Sequence, residues 1–129
     1  MDLKAEGIRK FILDLRGNGG GYLEQAVAVA NQFVERERLV VYTEGRHKNS
    51  REDHFAKADP VIGTDVPILV LVNSYSASAS EIVAGEIQDY DRGINVGRTT
   101  FGKGLVQKKY SLKNGGQAYL LLLISEKCR

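Results

Sequence analysis

Two short segments hold the residues best able to do chemistry. Ser76-Ala77-Ser78-Ala79-Ser80-Glu81 offers a hydroxyl at the mouth of a predicted helix, and Phe101-Gly102-Lys103-Gly104 offers a lysine framed by glycines, 25 residues after Ser78. Such a pair can do nucleophilic chemistry without histidine, because a lysine held neutral can take the proton from serine. The two histidines, His47 and His54, both fall in a polar, loop-like stretch. Seven residues apart among Lys, Arg, Asn and Asp, they lack a metal-binding spacing. Lysine is the better base for serine chemistry in this chain.

Each segment also has a plainer reading. Ser78-Ala79-Ser80-Glu81 fits a capping box, in which serine closes a helix N-terminus and glutamate reaches back to it, and Ser76 or Ser80 could fill the same place. Cap and nucleophile are compatible in one position, since a helix N-terminus favours nearby negative charge. Any lysine can be a solvated surface charge, but glycines on either side of Lys103 permit close backbone approach and Phe101 helps exclude water. Desolvation is what lowers an ammonium's pKa toward that of a working base.

Gly17-Asn18-Gly19-Gly20-Gly21 follows a predicted strand and opens a predicted helix, so its backbone N–H groups could hold an anion or an oxyanion. It is not a dinucleotide fingerprint, because Tyr22 stands where a small residue is needed. Gly97 to Lys103 matches most of a nucleotide-binding loop. The match fails at Gly104, where a magnesium-holding serine or threonine belongs, and the following residues read as a strand where a helix is required. Asp14 and Asp89 to Asp91 read as turn, capping or structural charges.

These segments are carried by alternating elements. Strands are expected at Lys10–Leu15, Leu39–Thr43, Val66–Val72, Ile94–Val96, Leu105–Leu112 and Gln117–Ile124, with helices at Tyr22–Val34 and Ala77–Tyr90. Val66–Val72 is a continuous apolar run, typical of a strand buried on both faces. Glu44–Asp65 is polar and reads as an exposed loop or lid. The turn Lys113-Asn114-Gly115-Gly116 joins the last two strands. Strand-helix alternation over the first hundred residues predicts an α/β layered domain closed by a hairpin.

Composition narrows the field. The 129 residues suit one domain, and 43% apolar residues supply a core. Eighteen basic against sixteen acidic residues give a net charge of +2, no argument for nucleic acid or an anionic membrane. One cysteine, Cys128, allows no internal disulfide and reads as an incidental thiol. The segment Met1–Gly7 has no signal-peptide character, and no run approaches the ~20 apolar residues of a membrane span.

Taken together, Ile12-Leu13-Asp14-Leu15-Arg16-Gly17-Asn18-Gly19-Gly20-Gly21, Leu71-Val72-Asn73-Ser74-Tyr75-Ser76-Ala77-Ser78-Ala79-Ser80-Glu81-Ile82 and Val96-Gly97-Arg98-Thr99-Thr100-Phe101-Gly102-Lys103-Gly104-Leu105-Val106-Gln107 resemble the carboxyl-terminal processing (tail-specific) peptidases of family S41. The three motifs stand in the family's order over most of residues 8 to 113. The resemblance implies Ser78 as nucleophile, Lys103 as general base and Gln107 as the glutamine that orients the lysine. It implies an oxyanion hole from the amide of Gly19 or Gly20 together with that of Ala79. It also implies a spiral of strand-strand-helix units like those of crotonase and Clp protease, truncated here and closed by the C-terminal hairpin.

The whole of 1–129 is then a single catalytic core without the PDZ domain usual in the family. The expected partner is a protein or peptide segment, unfolded or C-terminal, and no metal or organic cofactor is implied. Family members mostly work in the periplasm or cell envelope. Departing from the family pattern after the hairpin, the chain is expected to leave an apolar edge at Tyr119–Ile124, open to homo-oligomer formation. Two other readings share the fold: a non-catalytic peptide-binding scaffold, and an acyl-CoA enzyme that would use the glycine turn without Ser78 or Lys103.

Overall fold

Phe11–Asp14 (β1), Ile68–Val72 (β4) and Gly93–Gly97 (β5) form a parallel three-stranded sheet in the order β1-β4-β5 in the computed structural model, which describes residues 7–45 and 49–125. Parallel neighbours need crossover connections, and the helices Leu23–Ala30 (α1) and Ala79–Asp89 (α2) lie in those crossovers. Their apolar stripes meet one face of the sheet, burying Ala26, Ala30, Ile82, Val83 and Ile87 with Ile68, Val70 and Val72. α1 is shorter than its periodicity predicts. Beyond Ala30 the chain tightens into i→i+3 bonds, Gln32 N–H to Val29 O and Phe33 N–H to Ala30 O, while Phe33 and Val34 remain in the core.

The antiparallel half holds Leu39–Glu44 (β2), Glu52–Phe55 (β3), Leu105–Ser111 (β6) and Gln117–Ser125 (β7), in the order β3-β2-β7-β6. Two side chains fasten strand and loop backbone around the end of α2. The Tyr90 hydroxyl donates to Leu39 O at 2.9 Å. The half-buried Arg92 guanidinium donates to the carbonyls of Phe33, Val66 and Gly63, satisfying backbone acceptors that the loop leaves unpaired.

Three expectations are corrected. The stretch 44–65 is not a lid: it contains β3, and Ala56 and Ile62 are buried in the core. Glu-Asp-His-Phe has no apolar alternation to announce a strand. Backbone pairing with β2 makes it one, helped by Arg51, which bridges Asp53 and lies 4.0 Å from the centre of the Tyr42 ring. β4 is covered on one face only. On the other, Leu69 and Leu71 are half-buried between Ile12, 66% exposed, and Ile94, 67% exposed.

The rim expected at 119–124 is covered only in part. β7 runs between β6 and β2, pairing with β2 over its last three residues, so β3 and β6 are the terminal strands. His47 and Cys128 lie outside the described residues. Among the described residues no helix is long and apolar enough to cross a membrane, and no group of three or more His, Cys, Asp or Glu could hold a metal ion.

Candidate active site

β4 ends at Val72, and the next six residues deliver Ser78 to the start of α2 by a sharp turn. Asn73 and Ser76 build that turn. Asn73 Oδ1 accepts from the amides of Tyr75 and Gly17, both at 3.0 Å. The Ser76 hydroxyl is fully buried, donating to Leu15 O at 2.7 Å and accepting from the Asn73 amide. Ser80 Oγ donates to Asn18 O. Neither Ser76 nor Ser80 is thus free for chemistry, and the glycine turn is tied to the serine segment from both directions.

Ser78 itself sits at φ 56° and ψ −117°. An ordinary helix-capping serine is extended, and a side chain at positive φ outside the usual wells costs about 1–3 kcal/mol. The capping-box spacing does hold, for the Ser78 amide donates to Glu81 Oε2 at 2.7 Å. Yet the backbone is strained, as at the sharp strand-to-helix elbow that carries a nucleophile in other hydrolases.

Glu81 does more than cap. Only 7% exposed, it accepts from the amides of Gly102 at 2.6 Å and Lys103 at 2.9 Å, and from the Thr100 hydroxyl. Burial pushes its carboxyl up, but the donors from Thr100, Gly102, Ser78 and Lys103 outweigh that and hold it below the ordinary carboxylate value. One carboxylate therefore ties the segment before β6 to the start of α2. Sequence reading placed Glu81 only as a cap. The Ser-x-x-Glu spacing was visible, but its long-range partners were not.

Ser78, Ala79, Lys103 and Gln107 line a single cavity of about 590 Å³, shared with Gly21, Tyr22, Leu105 and His54. Among the described residues no hydrogen bond joins Ser78 Oγ to Lys103 Nζ. Gly20, at φ +91°, lies so close that a Cβ there would meet Ala77 O at 2.5 Å and Ala79 N at 2.8 Å. Its own amide donates to Asn18 Oδ1 at 2.9 Å. Gly19 has open space where a Cβ would stand. Asp14 is apart from this chemistry: hydrogen bonds from the Arg16 side chain and amide hold its carboxyl at about 2. The loop carrying Lys103 leads into β6 and not into a helix, as the failed nucleotide-loop match requires.

The arrangement can be set beside known proteins. At 42% identity over 113 residues, the chain is similar to a carboxyl-terminal-processing protease of Picosynechococcus, matching 88% of this chain and 26% of the relative. A probable CtpA-like serine protease of Staphylococcus saprophyticus is 41% identical over 112 residues, 85% of this chain and 22% of its own length. The solved photosystem II D1 C-terminal processing protease superposes with a TM-score of 0.83 at 34% identity, covering 96% of this chain and 32% of that one. The chain thus spans about a quarter of the length of these curated relatives. With the sequence model of peptidase family S41 matching residues 1–123, the chain belongs to that family of serine peptidases.

Proposed function

We propose that this chain is a peptidase core that hydrolyses peptide bonds in unfolded or C-terminal protein segments. Ser78 Oγ attacks the substrate carbonyl while Lys103 Nζ takes its proton and then returns it to the leaving amine. Gln107 orients the lysine. The Ala79 amide and one amide of the glycine turn stabilise the tetrahedral oxyanion at the start of α2. Because the Gly20 amide is taken up by Asn18, Gly19 is the better of the two candidates from the turn. Water then releases the acyl group by the same steps in reverse. The bond between nucleophile and base is commonly loose in a resting enzyme and tightens around substrate.

The observation that carries this reading is the strained Ser78, held at the elbow and facing one cavity with Lys103 and Gln107. The same reading takes 1–129 as one catalytic core, part of a crotonase-like spiral in which β6 and β7 form the closing hairpin.

The test is cleavage of casein by the purified chain beside Ser78→Ala and Lys103→Ala. Cleavage is expected from the parent, with losses on the order of 10⁴-fold or more in each variant. A folded parent that leaves casein intact would sink the catalytic reading and leave a peptide-binding scaffold.

A further inference from the structure

Two stretches read Asn-Gly-Gly: Asn18-Gly19-Gly20 in the glycine turn and Asn114-Gly115-Gly116 in the turn between β6 and β7. In both, the asparagine side chain folds forward over the next peptide. Asn18 Oδ1 accepts from Gly20 N–H at 2.9 Å, and Asn114 Oδ1 accepts from Gly116 N–H at 3.0 Å. That ring brings the side-chain carbonyl carbon, Cγ, over the intervening glycine nitrogen. The donor on Oδ1 also draws electrons from Cγ and opens it to attack. Asparagine is chemically labile in such a place, because glycine has no side chain to keep its nitrogen from closing on Cγ.

The two turns differ in the nitrogen that would attack. Gly115 N–H is engaged with Leu112 O at 3.0 Å, whereas Gly19 N–H has no acceptor among the described residues. The Asn18 carbonyl, in the same peptide unit as Gly19 N–H, accepts from the Ala77 amide at 3.1 Å and the Ser80 hydroxyl at 3.0 Å. Hydrogen bonds on a carbonyl draw charge through the amide and make its N–H more acidic. Asn18 and Gly19 are exposed, so water and hydroxide reach them. Asn73 makes the same turn, with Oδ1 on the Tyr75 amide. There the nitrogen belongs to Ser74, whose side chain hinders the approach, and Asn73 is half-buried.

We propose that Asn18 is a modification site, at which the glycine turn converts itself by deamidation into an isoaspartyl linkage. Hydroxide takes the Gly19 amide proton, and the nitrogen forms a bond to Asn18 Cγ. The Cγ–Nδ2 bond breaks, and ammonia leaves with a proton from water, which returns the hydroxide and closes a cyclic imide. Water then opens the imide. Attack at Cγ gives aspartate; attack at the former backbone carbonyl gives isoaspartate, whose main chain runs through Cγ. In the isoaspartate the carbonyl held by Ala77 and Ser80 becomes a free carboxylate, and Gly19 hangs from a longer arm. Its amide is moved from the place where it would meet an oxyanion, and a negative charge is added beside it. The N–H left free to receive an oxyanion is thus also the one free to attack its neighbour. The resulting loss of cleavage rests on the reading of Ser78 as nucleophile, whereas the modification does not.

The test holds the purified parent chain in mildly alkaline buffer and samples it over time. Each sample is digested and mapped by mass spectrometry, labelled with protein isoaspartyl methyltransferase, and assayed on casein. Conversion at residue 18 is expected about fivefold faster than at residue 114, the worth in rate of the hydrogen bond that Gly115 must first break, with residue 73 unaltered. In guanidinium chloride the two Asn-Gly sites should convert at like rates, since the fold makes the distinction. Gly19→Ala should suppress conversion at residue 18 and leave residue 114 as it was. Casein cleavage by the parent should fall in step with isoaspartate at residue 18.

Conversion at residue 114 as fast as at residue 18 in the folded chain, or an unchanged rate at residue 18 in Gly19→Ala, would overturn the proposal. Conversion in the expected order by a parent that never cleaves casein defeats the catalytic reading alone. Cleavage by a parent whose residue 18 stays unmodified defeats the modification site alone. Cleavage undiminished after residue 18 has converted overturns the link between the two.

Discussion

The two halves of the site are built differently. The half bearing Ser78 is anchored in the parallel layer: Ser76 is fully buried, Ala77, Ser80 and Ile82 are buried, and Asn18, Asn73 and Ser76 spend their hydrogen bonds on this one turn. The half bearing Lys103 is an exposed loop. Phe101 is 66% exposed, and a Cβ at Gly102 would meet nothing within 4 Å. Its hold on the rest is the Phe101 amide on Ser76 O and the donors of Thr100, Gly102 and Lys103 on Glu81. The proposed base has no rigid scaffold of its own. It borrows the rigidity of the Ser78 turn through one backbone hydrogen bond and one carboxylate.

Disturbing the rigid half should have the largest effect. In Gly20→Ala the new methyl would collide with backbone atoms of Ala77 and Ala79 at a positive φ. Casein cleavage is expected to fall by about 10²-fold or more, since displacement by 1 Å is enough for that. The thermal midpoint should fall as well, by the equivalent of roughly 3 kcal/mol. Gly19→Ala meets open space and should approach the parent in stability, which isolates the clash from the loss of a glycine.

Cutting the tie comes next. Glu81→Gln leaves one acceptor oxygen where two served four donors, and should cost about 30-fold in cleavage, a misplacement smaller than that in Gly20→Ala. It also has a pH signature. A carboxyl depressed in the fold contributes stability that is present above its unfolded value of about 4.3 and is lost as pH falls through the folded value. Acid unfolding of the parent should therefore steepen below pH ~4, and the Gln variant should lose that part of the slope. An unchanged acid profile would show that Glu81 carries no such linkage.

The mildest probe alters no residue. By amide hydrogen exchange, Val70 and Val72 in the buried strand should exchange on the order of a thousandfold more slowly than Gln107 and Lys109 on the terminal strand β6. Equal protection would erase the contrast between the halves.

What could be read in the sequence follows the same division. β1, β4, β5 and the two helices announce themselves by apolar runs and 3.6-residue stripes, because burial by close neighbours imposes those patterns. β3 is invisible: a strand of Glu, Asp, His and Phe is held by backbone pairing, which leaves no mark on side-chain type. The single-faced burial of β4 was misread for a related reason, since an apolar run is the same whether one face or two are covered. For the site, Ser78 and Lys103 stood out by residue type and setting and Gln107 only through the family resemblance, and the structure brings the three to one cavity. The roles of Asn18, Asn73 and Glu81 did not, because each depends on partners two to five dozen residues away or on which of several amides happens to face it.

The backbone of Ser78 carries one more implication. Glycine would occupy φ 56° without the strain that serine bears there. Even after the greater freedom of an unfolded glycine is counted, the exchange should stabilise the fold by about 1 kcal/mol. For thermodynamic comfort alone, this position has a better residue than the one it holds. Stability design guided by backbone preference would choose glycine here first, and would remove the hydroxyl proposed as the nucleophile.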